Sequence, residues 1–323
     1  MFLFRLLKLP ARIAIKIYCT RLHINAPCYL KSKGPLLLAM NHPNSFLDAV
    51  IISTIFDQPV YSLARGDAFS KKWAAKLLSQ LNIFPVYRRT EGVENLEANY
   101  GTFELCKNVF REKGIVLIFS EGRCINEWKL RPLKKGTARL ALSSWEEKID
   151  LKVLPVGINY DSFRSFGKSV ILNFGNPLDA SVISGSQNFG QAVMRFNSEL
   201  ESQLKNLVIS GDDAVKQIHS SLVSKTPTWK KILLVPFAAV GYVLNAPLYL
   251  PVRSISIKKA APFEHYDSVM VGLLFILYPF YLFLFCLIAW MITSNIWIGL
   301  AMIFLLPFSA WSFLRLKHNK NPR

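Results

Sequence analysis

The sequence predicts an α/β domain, a mixed sheet flanked by helices, with an N-terminal interfacial helix before it and a C-terminal transmembrane hairpin after it. Three observations lead there. Strand-length apolar runs alternate with helical patterns between about residues 30 and 225. The 47 residues 268–314 contain no charge. The first 24 residues mix large aliphatic side chains with recurring cations.

The elements follow in order. Residues 1–25 carry Arg5, Lys8, Arg12, Lys16 and Arg21 among aliphatic partners. The cations recur too often to leave the apolar core of a signal peptide. The segment reads as a basic amphipathic helix on a membrane surface, bent near Pro10. Residues 26–225 form the α/β domain. Its expected strands are 35–40, 60–64, 83–87, 115–119, 153–158 and 170–174, with helical patterns at 93–113 and 134–144. Phe189, Val193, Phe196, Leu200, Leu204 and Leu207 recur at steps of three and four, which is one apolar face of a further helix.

Residues 226–267 are basic and apolar. The uncharged stretch 232–252 is interrupted by Pro236, Gly241, Asn245, Pro247 and Pro251, and flanked by Lys230, Lys231 and Arg253. That pattern fits a broken re-entrant or interfacial element better than a clean span, with a third spanning helix as the alternative. Residues 268–323 hold two spans, 269–291 and 296–314, separated by Thr293, Ser294 and Asn295. A span needs about 20 apolar residues. Cations lie before the pair (Lys258, Lys259) and after it (Arg315, Lys317, Lys320, Arg323), and none lies in the short loop. Both ends are therefore expected in the cytoplasm.

Composition narrows the partners. With 39 Lys and Arg against 21 Asp and Glu, the 323-residue chain carries a formal charge of +18, and 51% of its residues are hydrophobic. That apolar content excludes a disordered chain. The cations are scattered rather than clustered, and no zinc-finger spacing or RNP-like aromatic motif occurs, so no nucleic-acid partner is expected. An anionic bilayer and small phosphorylated or acidic molecules are. Five cysteines without C-x-x-C spacing indicate neither a disulfide framework nor a zinc site.

The stretch with the most chemistry is 36–48. An apolar strand runs into Asn41, His42 and Pro43, and Asp48 follows. Six residues turn a regular helix by about 600°, so His42 and Asp48 cannot share one helical face. Pro43 biases His42 away from helical geometry. The expected arrangement has His42 in a turn, a helix starting near Ser45, and the turn folding the imidazole back toward Asp48. An imidazole oriented by a carboxylate is suited to take a proton from a hydroxyl. Ser45-x-x-Asp48 has equally the form of a helix capping box. Further along, residues 82–89 end a strand with Arg88 and Arg89, residues 119–123 end another with Glu121, Gly122 and Arg123, and residues 153–157 form an apolar strand containing Pro155. Arginine forks match phosphate geometry, and a glycine lets backbone approach a ligand.

In this order the four blocks, covering roughly 30–180, resemble the PlsC-like glycerophospholipid acyltransferase family (1-acylglycerol-3-phosphate and glycerol-3-phosphate acyltransferases). Lys134, Lys135 and Gly136 resemble a Lys-x-Gly element of the same family. Three features depart from its usual pattern. The His–Asp spacing is H-x5-D rather than H-x4-D, similar to the fungal glycerol-3-phosphate/dihydroxyacetone-phosphate acyltransferase branch. Ser120 stands where the family usually has Pro, and Arg123 directly follows Gly122.

The resemblance implies a membrane-bound O-acyltransferase of phospholipid synthesis. It would move an acyl group from acyl-CoA or acyl-carrier protein to a hydroxyl of glycerol-3-phosphate or 1-acylglycerol-3-phosphate, with no metal and no organic cofactor. His42 would be the base and Asp48 its orienting acid. Asn41, Arg88, Glu121, Gly122 and Arg123 would bind the acceptor, the arginines at its phosphate. The expected location is an integral membrane protein with its catalytic domain on the cytoplasmic side, in a bacterial inner membrane rather than the endoplasmic reticulum. Two alternatives remain at this point. One is the same fold acting on another lysolipid or an amino-acid lipid. The other is a non-catalytic membrane-surface protein in which the capping role of Asp48 is the whole story.

Overall fold

The computed structural model describes residues 2–87, 94–211, 213–222 and 227–317. The chain divides into two compact units: residues 1–12, 23–160 and 170–218 form the first, and residues 13–22, 161–169 and 219–323 the second.

The sheet, which belongs mainly to the first unit, has seven strands: β1 (Cys19–Ile24), β2 (Leu36–Met40), β3 (Val60–Arg65), β4 (Ile83–Val86), β5 (Ile115–Phe119), β6 (Lys152–Tyr160) and β7 (Lys168–Phe174). Their spatial order is β1-β7-β6-β2-β5-β3-β4. β2 runs parallel to both neighbours, pairing Met40 with Phe119 of β5 and with Val156 of β6. β5–β3 and β3–β4 are parallel too, and β6–β7 is antiparallel. The sheet is therefore mixed, as the sequence pattern implies. All five residues of β2 are buried, because a central parallel strand is covered on both faces.

Helices fill the crossovers: α2 (Ser45–Ile55) between β2 and β3, α3 (Lys72–Gln80) between β3 and β4, α4 (Glu94–Arg111) before β5, and α5 (Gly136–Glu146) before β6. The helix expected from residue 189 is α6 (Phe189–Leu207). It buries Val193, Phe196, Leu200 and Leu204 in the main core with Leu140, Leu142 and Val153. Each such side chain contributes about 1.5–3 kcal/mol of hydrophobic stabilisation. The carbonyl that ends α6, that of Leu207, accepts side-chain amides of both Asn159 (3.0 Å) and Asn173 (2.9 Å). Gly157 permits this approach, since a β-carbon there would lie 2.5 Å from the Leu207 oxygen.

The N-terminal segment departs from expectation. Residues 2–18 form a helix, α1 (Phe2–Tyr18), with Pro10 inside it, but residues 19–24 are the edge strand β1 rather than more helix. Pairing with β7 overrides the amphipathic pattern there. The Asn25 side chain donates to the Phe174 carbonyl and accepts from its N–H. Along α1, Phe2, Leu6, Leu9 and Ile13 form an exposed apolar stripe beside the exposed Arg5, Arg12 and Lys16.

The second unit contains α8 (Thr228–Ile255), α9 (Tyr266–Thr293) and α10 (Ile296–Lys317), following α7 (Ala214–Leu222) of both units. Three stretches, Ile232–Phe263, Tyr266–Thr293 and Ile296–Leu316, are long and apolar enough to cross a membrane. The segment expected to be broken by prolines is instead helical through Pro236, Pro247 and Pro251. One side-chain contact to its backbone comes from α9 and one from within the helix. The Tyr281 hydroxyl donates to the Leu244 carbonyl (2.6 Å), and the Asn245 amide donates to the Gly241 carbonyl (2.8 Å). Gly241 brings α8 against α10, as a β-carbon would meet the Ser309 oxygen at 2.2 Å. α9 and α10 meet at Ser294, in the left-handed conformation, within the polar break read from the sequence.

One ionic cluster lies wholly inside the second unit. The Asp267 carboxylate, in the first turn of α9, accepts from Lys168 Nζ and from the Tyr18 hydroxyl, and neither charged side chain has any exposure. The ammonium also lies 5.7 Å from the centre of the Tyr18 ring. Removing one partner of a fully buried pair leaves an uncompensated charge. Lys168→Met is therefore expected to destabilise the chain by about 3–5 kcal/mol. The double change Lys168→Met/Asp267→Leu should recover much of that loss, as read by thermal unfolding in detergent.

Candidate active site

The described candidate residues, Asn41, His42, Asp48, Glu121, Gly122 and Arg123, gather at the carboxyl ends of β2 and β5, the edge of parallel strands where ligand crevices form. The local chain explains how. β2 ends at Met40, His42 and Pro43 turn, and α2 begins at Ser45 with Asn44 at its N-cap. Ser45 has φ +49°, in the left-handed region that costs a non-glycine residue about 1–2 kcal/mol. With this turn, five residues lie between His42 and Asp48 and the pair still closes: Nδ1 and Oδ2 are 2.9 Å apart.

Asp48 has no exposure and all its contacts are donors. Its Oδ2 also accepts the Asn44 backbone N–H (2.9 Å), and its Oδ1 accepts the Tyr160 hydroxyl (2.6 Å). The capping and orienting readings thus both describe the same carboxylate, although the capped residue is Asn44 and not Ser45. An ionised carboxylate only accepts, so the His42 proton facing it sits on Nδ1 and the lone pair on Nε2. The imidazole stacks on Phe119 with ring centres 3.7 Å apart and planes 11° apart, and its side chain keeps 17% exposure. The ring is held on one edge and one face while remaining open to solvent.

Asn41 and Glu121, expected to touch an acceptor, hold backbone in this structure. The buried Asn41 amide donates to the Ile158 carbonyl (3.0 Å) and accepts the Ile158 N–H (2.8 Å), fastening the end of β2 to β6. Glu121 is 4% exposed. Its Oε2 accepts the His42 N–H (2.8 Å), and its Oε1 accepts the Arg131 N–H (2.8 Å). It ties the His42 turn to the loop 121–135. Burial pushes its carboxyl above the ordinary 4.5, and the two N–H bonds oppose that rise. Ser120 also braces the loop: its hydroxyl accepts from Thr137 Oγ1 (3.0 Å) and its carbonyl accepts the Lys134 N–H (2.7 Å).

Gly122, exposed at φ +64°, supplies the turn conformation a glycine suits best, and a β-carbon there would touch Lys134 at 3.0 Å. Arg123 is exposed and makes no ion pair among the described residues. Arg88 lies outside the described residues. The loop 121–135 carries Arg123, Lys129, Arg131, Lys134 and Lys135 against Glu121 and Glu127, a net positive rim. Of these cations, Lys129 and Arg131 pair with Glu127. A shallow depression lined by Gln58, Pro59, Tyr61 and Lys113 lies at the opposite ends of β3 and β5 and is not part of this site.

Residues 21–159 match the family model described as Acyltransferase. That span contains every candidate residue named above. No curated protein sequence matches the chain. Among solved structures, the crystal structure of the 1-acyl-sn-glycerophosphate (LPA) acyltransferase PlsC from Thermotoga maritima is similar. It aligns with 64% of this chain and 78% of its own at 17% identity, with a TM-score of 0.45.

Four contributors escaped the sequence reading. Tyr160 ends the apolar β6 strand and lies 112 residues from its partner Asp48. Phe119 read as strand core rather than as the platform for His42. The Cys124 sulfur accepts the Ser45 N–H (2.8 Å), and the Asn126 side chain donates to the Pro43 carbonyl (2.7 Å). Only the adjacency of Phe119, Cys124 and Asn126 to the Glu–Gly block could have flagged the last three.

Glu121 gives a signed pH expectation. Because its folded pKa exceeds 4.5, the folded state binds more protons than the unfolded state just above that pH, and stability falls as the group ionises. Glu121→Gln lacks this titration but leaves one backbone N–H facing an amide group. Its stability relative to the parent chain should therefore improve as pH rises past 4.5, as measured by denaturant unfolding across that range.

Proposed function

We propose that the chain is a membrane-bound O-acyltransferase that transfers a fatty acyl group from acyl-CoA or acyl-carrier protein to a hydroxyl of glycerol-3-phosphate or 1-acylglycerol-3-phosphate. The observation that carries this reading is the buried Asp48 carboxylate at 2.9 Å from His42 Nδ1, within the segment that matches the Acyltransferase model. His42 Nε2 takes the proton of the acceptor hydroxyl as its oxygen attacks the thioester carbonyl. The carbon–sulfur bond then breaks, and the departing thiolate takes the same proton back from His42. Asp48 stabilises the imidazolium formed between these steps.

The acceptor phosphate is assigned to the basic rim, with Arg123 as its principal contact and Arg88 as a second. Gly122 lets the chain lie close to the glycerol backbone. The first-turn N–H groups of α2 after Ser45, whose own N–H binds Cys124, face no intrahelical acceptor and suit the oxyanion of the tetrahedral intermediate. The reaction uses no metal and no organic cofactor. Three apolar helices long enough to cross a membrane support a lipid-resident acceptor or product. With α8 held at one face of the bilayer rather than crossing it, the cations flanking α9 and α10 support a cytoplasmic catalytic unit, and a bacterial inner membrane is the location proposed.

Membranes containing the chain should incorporate labelled acyl groups into a glycerophosphate acceptor, and His42→Ala should lower that rate about 10²-fold or more. Arg123→Ala should raise KM for the phosphorylated acceptor about tenfold while leaving the donor KM unchanged. Full activity in His42→Ala would remove the base from this scheme. An unchanged acceptor KM in Arg123→Ala would move the phosphate elsewhere.

A further inference from the structure

The helix α3 is unusual for a soluble surface. None of its nine residues is buried, yet Trp73 is 66% exposed and Leu77 is 42% exposed. At 100° per residue, Trp73 and Leu77 lie within about 40° of each other, while Ala74, Ala75 and Leu78 lie on the half-buried side. Lys72 and Lys76 border the exposed apolar face, and Lys71 precedes it. From residue 68 to residue 90 the chain has no acidic side chain. A large aromatic residue, an aliphatic neighbour and two lysines on one short helix, with a third just before it, suit neither a solvated face nor a core.

Position adds to the argument. α3 follows β3, and β3 runs parallel to β5 and on the same sheet as β2. The chain therefore enters α3 from the carboxyl edge of the sheet, the edge that carries His42 and Glu121. The same polypeptide also contains helices able to span a bilayer, so a lipid surface is held at high effective concentration near this unit.

We infer that α3 is an interfacial lipid-docking element, seating Trp73 and Leu77 among the headgroups of an anionic bilayer with Lys71, Lys72 and Lys76 on its phosphates. Indole and aliphatic side chains favour that depth, and lysine stems lie along it with their ammonium groups toward the phosphates. Each lysine near an anionic surface strengthens binding about fivefold. Docking at this edge opens the candidate site toward the leaflet, so a lipid acceptor or product has a short path between membrane and His42. This last consequence rests on the acyltransferase reading; the docking itself does not.

The full chain is reconstituted in nanodiscs of phosphatidylcholine alone, and of phosphatidylcholine mixed with phosphatidylglycerol, and amide hydrogen exchange is followed over residues 71–81. Exchange should slow about tenfold in the anionic discs. Lys72→Glu/Lys76→Glu should abolish that difference, and Trp73→Ser/Leu77→Ser should lose protection in both lipids. The second variant should also raise KM for a bilayer-resident acceptor while kcat on a water-soluble, short-chain acceptor stays unchanged. Equal exchange in both lipids overturns the proposal. So does protection that persists without lipid and grows with protein concentration, which assigns the face to a second copy of the chain. Because exchange needs no turnover, an inactive protein with the expected protection refutes the acyltransferase reading and leaves the docking intact.

Discussion

The Asp48 carboxylate is the point on which the candidate site depends. A charge with no exposure is tolerated only when hydrogen bonds replace its water. Three do so here, from the His42 ring, the Asn44 backbone and the Tyr160 hydroxyl. These donors come from the turn after β2, the start of α2 and the end of β6, so satisfying one carboxylate fixes three segments at once. The same contact determines which imidazole nitrogen remains open. Structure and chemistry are coupled at this atom, and a change that neutralises Asp48 alters both.

Around this centre, polar side chains brace the fold. Asn41 binds β6, Glu121 binds the His42 turn and the basic loop, and Ser120 binds the segment entering α5. All three are buried; replacing Asn41 or Glu121 by an apolar residue would leave backbone groups unsatisfied, whereas Ser120 holds the Thr137 hydroxyl. The outcome is an imidazole held on one edge and one face beside a loop in which Lys129 and Arg131 pair with Glu127 and Arg123 makes no ion pair among the described residues. The second unit follows a related rule on its own. Lys168, Asp267 and Tyr18 neutralise one another where α9 begins, which places an ion pair at the end of an apolar helix rather than along it.

What the sequence could reveal tracks the range of each interaction. His42 and Asp48 are six residues apart, and Pro43 and the helix start between them are local signals, so their approach was legible. The parallel strands were legible because burial on both faces leaves continuous apolar runs. Tyr160 was not, since nothing in an apolar strand says that its last hydroxyl meets an acid 112 residues away. Motif position marks Asn41 and Glu121 but does not reveal the backbone groups that their polar atoms also hold. The strand β1 was hidden by an amphipathic pattern that pairing with β7 overrides. The prolines of α8 suggested a broken segment, but the chain stays helical through all three, with Gly241 packed closely against Ser309 of α10.

The tautomer of His42 tests the account most directly. Nitrogen-15 NMR of the histidine-labelled full chain, with the His42 signals assigned by their loss in His42→Gln, reports which ring nitrogen carries the proton. The arrangement described here requires a neutral ring protonated at Nδ1 with an open Nε2, and a weakened preference in Tyr160→Phe as Asp48 loses a donor. A neutral ring protonated at Nε2 would contradict it, because the nitrogen assigned to the acceptor proton would then already be occupied.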